Sequence, residues 1–400
     1  MSVVQKSNGQ SLTQRIHARF DHFLVGKNYV LGDEDFDDGL ELELLEQQED
    51  KEVKESGWSK RILLDVEKAR VEKEEAAKRQ RAKALQVAAS YFNKRHINDM
   101  LAQLSEPDRV MTHLLRMPPS TTELLLSLTL PFPRLSAIGA MLEQNPEVKR
   151  RLLYLVGSDS FMELLGRKPR AVKDAQAAVG LLGVEILKQI VPAMVFKYRI
   201  KMHNAVIPGL GKKLWRHILT TGLATSYLLE QQGYKRPAEG MMLGGLLFLG
   251  HMSCLHQFLR SFDETMVDCL NEARQKGDKK FHDLLFDVEA DPRILEKFLQ
   301  ERALEIGLSL AKQGFQEGAP QLITALQEEV DDLNYDVRST LGKALFSGLR
   351  FSIFEQLRAA KSFSQEELTP WREYAKISPQ MFKDMHNKAL HRIDYSQFGS

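Results

Sequence analysis

Hydrophobic positions recur every three to four residues along most of this chain, and the strict alternation that marks strands is nearly absent. The pattern predicts an all-α, multi-helical protein. Its most apolar stretch is Pro237–Phe262, PAEGMMLGGLLFLGHMSCLHQFLRSF. Pro237 suits a helix start, where its missing N–H costs nothing, and Glu239 favours the positive end of the helix dipole. From Gly240 to Leu259 no residue is charged unless a histidine protonates. A helix apolar on all sides is buried on all sides, so this one is expected at a domain centre. Gly240, Gly244, Gly245 and Gly250 each cost about 1 kcal/mol of helix propensity relative to Ala. Close approach of neighbouring backbones would be their use. A bilayer span, which needs about 20 apolar residues, is the competing reading. The dense run is only Met241–Leu249, with Ser253, His256 and Gln257 following, so a core helix is preferred and no membrane span is expected.

Taken in order, the chain divides into four segments. Residues 1–57 read as a flexible stretch with one short helix, capped by Ser11 and carrying Ile16, Phe20, Phe23 and Leu24 on one face. The acidic tract from Gly32 to Asp50 lacks the Glu that a calcium loop needs at its twelfth position, Leu44 counting from Asp33. It reads as a solvated linker. Residues 58–105 read as one long charged helix. A thin stripe (Ile62, Leu63, Val66, Ala69) gives way to Leu85, Ala88, Ala89, Tyr91, Phe92, Ile97 and Leu101. Two readings stay open: a self-association arm making a homodimer, or a solvated helix packed along one side. Residues 106–335 read as a domain of amphipathic helices with short breaks, and 336–400 as a C-terminal helical extension. That extension includes a helix over Val337–Ala359 and a capping box at Ser364–Glu367.

Composition narrows the function classes. Hydrophobic residues make up 43% and charged residues 27%, and the net charge is +1, so no bulk field argues for nucleic acid. The basic run Lys78, Arg79, Arg81, Lys83 faces several ways around its helix and is not read as a nucleic-acid site. Cys254 and Cys269 form neither a disulfide framework nor a zinc spacing, which fits a reducing compartment. The opening MSVVQKSNGQ lacks a signal peptide's apolar core, so a cytoplasmic protein is expected. Gly209–Lys213 lacks the Walker spacing, there is no G-x-S-x-G elbow, and Cys254 sits in an apolar stretch as an unactivated thiol. No cofactor is expected. Lys212, Lys213 and Arg216 crowd the start of a helix, where cations oppose the dipole, so either a ligand phosphate or an acidic neighbour is expected there. His251 and His256 are five residues apart, about 140° around a helix, which disfavours one shared metal site.

Ordered pieces of region 108–262 resemble the HDOD domain, a bacterial relative of the HD phosphohydrolases. PPSTTELLLSL resembles the family's opening helix. LEQNPEVKRRLLYLVGSDSF resembles its next segment, with Asn145-Pro146 and Gly157-Ser158 at the key points. AVKDAQAAVGLLGVEILKQIV follows, with Leu182-Gly183 in place. KKLWRHILTTGLATSYLLEQQG resembles the helix bearing the first histidine, and MMLGGLLFLGHMSCL the helix bearing a His-Asp pair. EIGLSLAKQGFQEGAPQLITALQEE resembles a later helix pair.

In the HD enzymes, a His, a His-Asp pair and a later Asp hold divalent metal, which activates water against a phosphoester. The resemblance places His217 at the first histidine and Phe248 and Leu249 where the pair should stand. Neither can donate a lone pair to a metal. A slip of one to three residues brings in His251, but Met252 follows it rather than Asp. The resemblance therefore implies a non-catalytic, metal-free regulatory module in bacterial signalling. It would act through protein partners, signalling enzymes among them. One alternative is a nucleotide sensor using a vestigial pocket lined by Trp215, Arg216, His217, Phe248, Leu249 and His251. The third reading is a divergent metal-dependent phosphohydrolase. His217 itself reads either as a residual polar group of that pocket or, preferred here, as a core histidine with one satisfied hydrogen bond.

Overall fold

The computed structural model describes residues 11–26, 65–168, 170, 172–200, 207 and 209–388. The acidic tract, the expected helix start at 58–64, most of the segment 1–57 and the chain beyond 388 lie outside them. Among the described residues there is no strand. The helices are α1 (Leu12–Val25), α2 (Asp65–Leu104), α3 (Pro119–Thr129), α4 (Leu135–Glu143), α5 (Pro146–Val156) and α6 (Asp159–Leu164). They continue with α7 (Ala175–Leu182), α8 (Val184–Ile200), α9 (Leu210–Gln231), α10 (Glu239–Leu247), α11 (Leu249–Gln275) and α12 (Lys279–Leu285). The last six are α13 (Pro292–Glu301), α14 (Ala303–Phe315), α15 (Pro320–Val330), α16 (Thr340–Ala359), α17 (Gln365–Tyr374) and α18 (Pro379–Asn387). A π-turn, Val110–Leu114, leads into α3.

Contacts divide the chain into two compact units. One comprises residues 1–30, 100–260 and 292–400, the other 31–99 and 261–291. These units cut across the four segments read from the sequence, because residues 261–291 group with the long helix rather than with the helices around them in the chain.

In the first unit α10 is the centre. It packs against α8, α9, α14, α15 and α16, and every residue from Glu239 to Leu247 is buried. Glycine makes this crowding feasible. A side-chain carbon on Gly244 would lie 2.7 Å from Gly222 Cα of α9. One on Gly250 would strike the Ala303 carbonyl and sit 2.6 Å from the Gly307 nitrogen of α14. The close approach expected of these glycines is thus present. The stretch Glu239–Gln275 passes a length and hydropathy test for a membrane span, but 83% of its apolar window is buried inside the protein.

The sequence reading of Pro237–Phe262 as a single helix needs correction. The helix breaks at Phe248 (φ −98°, ψ 9°), whose amide bonds Gly245 O at 3.3 Å in a tight 3₁₀-type turn. It then resumes at Leu249 and runs to Gln275, past the expected end. A second break, at Arg302 (φ −130°, ψ −25°), separates α13 from α14.

Other features follow the sequence. Ser11 and Gln14 form a capping box on α1, and Ser364 and Glu367 another on α17. Gly183 adopts a positive φ of 79°, conformational space costly for other residues, and lets α7 and α8 meet at 120°. Asn145, before Pro146, accepts from the Thr121 hydroxyl at 2.6 Å and donates to Met141 O at 2.9 Å and Ser120 O at 3.1 Å. That side chain ties together the starts of α3 and α5.

The second unit has its own core of Phe92, Cys269, Ala273, Leu285 and Val288, with Phe262, Met266 and Phe281 packed against it. Arg95 pairs with Glu272 and lies 3.8 Å from Asp268, while Thr265 donates to Asp99 at 2.6 Å. The richer half of α2 is therefore packed along one side, against residues 261–291. The described stretch from Lys73 to Lys83 is exposed.

Candidate functional site

His217 stands on the buried face of α9 and is 2% exposed. Three elements close around its ring. Phe248, at the break between α10 and α11, places its ring centroid 4.6 Å away. Phe20 of α1 stacks from another side at 4.5 Å. Ser352 of α16 completes the shell, its Oγ 2.7 Å from His217 Nδ1 and 3.2 Å from the His217 carbonyl oxygen. Burial holds the imidazole well below its ordinary pKa, and the neighbouring His251 and His17 push the same way. The ring is therefore neutral. His217 is thus a buried histidine whose Nδ1 is hydrogen-bonded.

His251 lies one helical turn beyond Phe248's break, its ring 4.9 Å from Phe248. Its Nδ1 has no hydrogen-bond partner among the described residues, and burial lowers its pKa to about 4. Leu249 is fully buried. Trp215 and Arg216 sit about 200° and 100° around α9 from His217, so they do not join this group. Trp215 carries Lys197 Nζ 5.7 Å over its ring. The fold thus gathers His217, Phe248 and His251 and leaves Trp215 and Arg216 elsewhere.

Of the cations at the start of α9, Lys213 is held by backbone carbonyls. Lys213 Nζ donates to Phe23 O at 2.8 Å and Gly26 O at 2.9 Å, the terminal carbonyls of α1. Its counter-charge is the negative end of another helix rather than a phosphate or a carboxylate. Burial lowers the ammonium's pKa to about 8. α1 is further fixed by Arg19, which forms a fork to Glu367 at 2.8 and 2.9 Å and donates to Ser362 O at 2.8 Å. Phe20 is thereby delivered onto His217 by two polar anchors.

Sequence reasoning missed Phe20, His17 and Ser352 as members of this group. His17 packs on Trp371 at 5.4 Å, and burial, with Arg350's charge, lowers its pKa to about 4 against a smaller opposing effect of Glu329. Phe20 was legible only as a core position of an amphipathic helix. The available signal for Ser352 was a hydroxyl inside the apolar run FSIF.

A divalent metal does not fit these residues. His217 Nδ1 is engaged by Ser352, and its ring is flanked by two phenyl groups. Phe248 and Leu249 offer no donor atoms. Among the described residues, no group of three or more His, Cys, Asp or Glu side chains is placed to hold a metal ion. His256 is turned to the Arg199 carbonyl rather than towards His251. Cys254 is fully buried, which pushes its thiol up to about 12, so it is no nucleophile.

Residues 114–285 match the family model of the HDOD domain. No curated protein matches the chain. Among solved structures, a presumptive metal-dependent phosphohydrolase from Shewanella amazonensis SB2B is 15% identical, with 77% of this chain and 99% of that one covered at a TM-score of 0.42. A second presumptive phosphohydrolase from the same organism is 17% identical, covering 73% and 95% at a TM-score of 0.46. An HDOD domain protein of unknown function from Geobacter sulfurreducens is 14% identical, covering 72% and 94% at 0.43.

Proposed function

The chain carries an HDOD domain over residues 114–285, a family related to metal-dependent phosphohydrolases, and we propose that it is a non-catalytic regulatory protein acting through protein contacts. One observation carries this reading. His217, which the resemblance sets at the first metal ligand, is sealed by Phe20 and Phe248 and hydrogen-bonded to Ser352, and Phe248 and Leu249 stand where the resemblance sets the next two ligands. A site that has exchanged lone pairs for phenyl and isobutyl groups has lost the means to activate water. The same packing weighs against a nucleotide sensor at this position, because a ligand would have to displace two buried rings. The exposed, charged length of α2 is the natural arm for partners, and self-association through it belongs to the same proposal.

The test uses the full purified chain. Metal content is measured by mass spectrometry, and turnover is assayed against bis(p-nitrophenyl) phosphate and cyclic dinucleotides with added Mn²⁺ or Mg²⁺. The expected result is substoichiometric metal and no turnover. Stoichiometric metal, with turnover abolished by His217→Ala, would overturn the reading.

A further inference from the structure

Helices α16, α17 and α18 enclose a groove of about 360 Å³, well away in sequence from residues 114–285. Its floor is aromatic: Phe354, Phe363 and Phe382 pack ring to ring, with centroids 4.7 and 5.1 Å apart around Phe354. Its walls are cationic. Arg358, Arg372 and Lys383 line it, with His386, and no Asp or Glu is among the lining residues. Two carboxylates border it: Glu367, bonded by the Ser364 amide at 2.9 Å, and Glu355, which is 1% exposed. Glu355 bonds His386 Nδ1 at 2.8 Å and lies 3.9 Å from Arg358 Nε, which holds those two side chains in place.

We propose that this groove binds a small anionic ligand with a planar aromatic body, the chemistry of a mononucleotide. Charge complementarity makes the ligand an anion, and guanidinium forks match phosphate oxygens with two parallel hydrogen bonds. The aromatic floor offers apolar contact to a flat ring. Size decides against a docked peptide helix. One turn of helix, about 10 Å across and 5.4 Å tall, sweeps out roughly 400 Å³, so two anchoring turns need about twice the space available. The groove instead lies near the lower end of the range for single small molecules, about 300–1,000 Å³. This ligand site is independent of the sealed position at His217. Metal and turnover measurements can therefore overturn the non-catalytic reading without touching it, and the reverse holds too.

The experiment is calorimetric titration of the full chain with AMP and GMP, and separately with adenosine, guanosine and inorganic pyrophosphate. The expected result is saturable one-to-one binding of at least one mononucleotide, with its nucleoside and pyrophosphate each at least tenfold weaker. The double variant Arg372→Glu, Lys383→Glu should weaken that binding at least tenfold. Because Lys383 is exposed and Arg372 half-exposed, its melting temperature should stay within about 2 °C of the parent. Absence of binding by either mononucleotide up to 2 mM overturns the proposal, as does binding that the charge reversal leaves unmoved. So does a result in which only an acidic peptide, and neither nucleotide, binds in a manner sensitive to the reversal.

Discussion

His217 Nδ1 lies 2.7 Å from Ser352 Oγ, a pairing across 135 residues that joins the helix of the expected metal site to the C-terminal extension. The hydroxyl also reaches the His217 carbonyl at 3.2 Å. One serine therefore satisfies two groups of a buried residue.

Removing that serine should expose the cost of the pairing. Ser352→Ala leaves a buried imidazole nitrogen without its partner, and an orphaned polar group costs about 1–3 kcal/mol. Urea denaturation should register that loss. The double variant His217→Leu, Ser352→Ala should recover part of it, because removing both partners removes the orphan. A strictly additive double variant would show that the pair is not coupled.

Gly250 sets the spacing between α11 and α14. The added carbon of Gly250→Ala meets backbone, the Ala303 carbonyl and the Gly307 nitrogen, rather than the movable end of a side chain. Helix propensity would favour alanine by about 1 kcal/mol, but overpacking against rigid backbone costs typically 1–3 kcal/mol. The expected outcome is net destabilisation, seen as a lower urea midpoint. A more stable Gly250→Ala protein would contradict the close approach.

Glu329 is 6% exposed, bonded by both Arg338 and Arg350, with the Arg350 guanidinium 3.7 Å over the Phe346 ring. Burial alone would raise its carboxyl pKa, but the two arginines outweigh it and the net shift is downward. Glu329→Gln leaves two buried guanidinium groups facing a neutral amide. Breaking a buried ion pair from one side costs about 3–5 kcal/mol. Chemical denaturation should show a loss of that order. A loss under 1 kcal/mol would mean that the arginines find other partners.

How much of this was legible beforehand depends on distance along the chain. Local periodicity sufficed for most of the helices, and the charge-free run from Gly240 to Leu259 identified the central stretch, though as one helix. Phe248 and Leu249, which the resemblance sets at two ligand positions, were legible as hydrophobes because they lie inside one motif. The seal on His217 was not. Phe20 and Ser352 come from α1 and α16, and periodicity only reports that a position is buried, never what it is buried against. Lys213 shows the same limit. Its placement against the helix dipole was readable, but its true counter-charge, the end of α1, lies 187 residues away. The break at Phe248 was hidden because an apolar residue in an apolar run carries no stop signal.

Three histidines around the sealed position should make the fold acid-sensitive. Burial lowers the pKa of His17 and His251 to about 4 and holds that of His217 well below its ordinary value. In the unfolded chain each would titrate near 6.5. Above that pH both states hold neutral rings and the histidines add no pH dependence. As pH falls from about 6.5 towards 4, the unfolded chain takes up protons that the folded chain refuses, so stability falls. The loss approaches about 1.4 kcal/mol per pH unit for each histidine inside that window. Urea midpoints at pH 7.5, 6.0 and 5.0 should fall in that order, and the drop should be smaller in His251→Leu, whose ring nitrogen is gone. A flat profile from pH 7.5 to 5.0 would mean that water reaches these rings and that Phe20 does not seal the site.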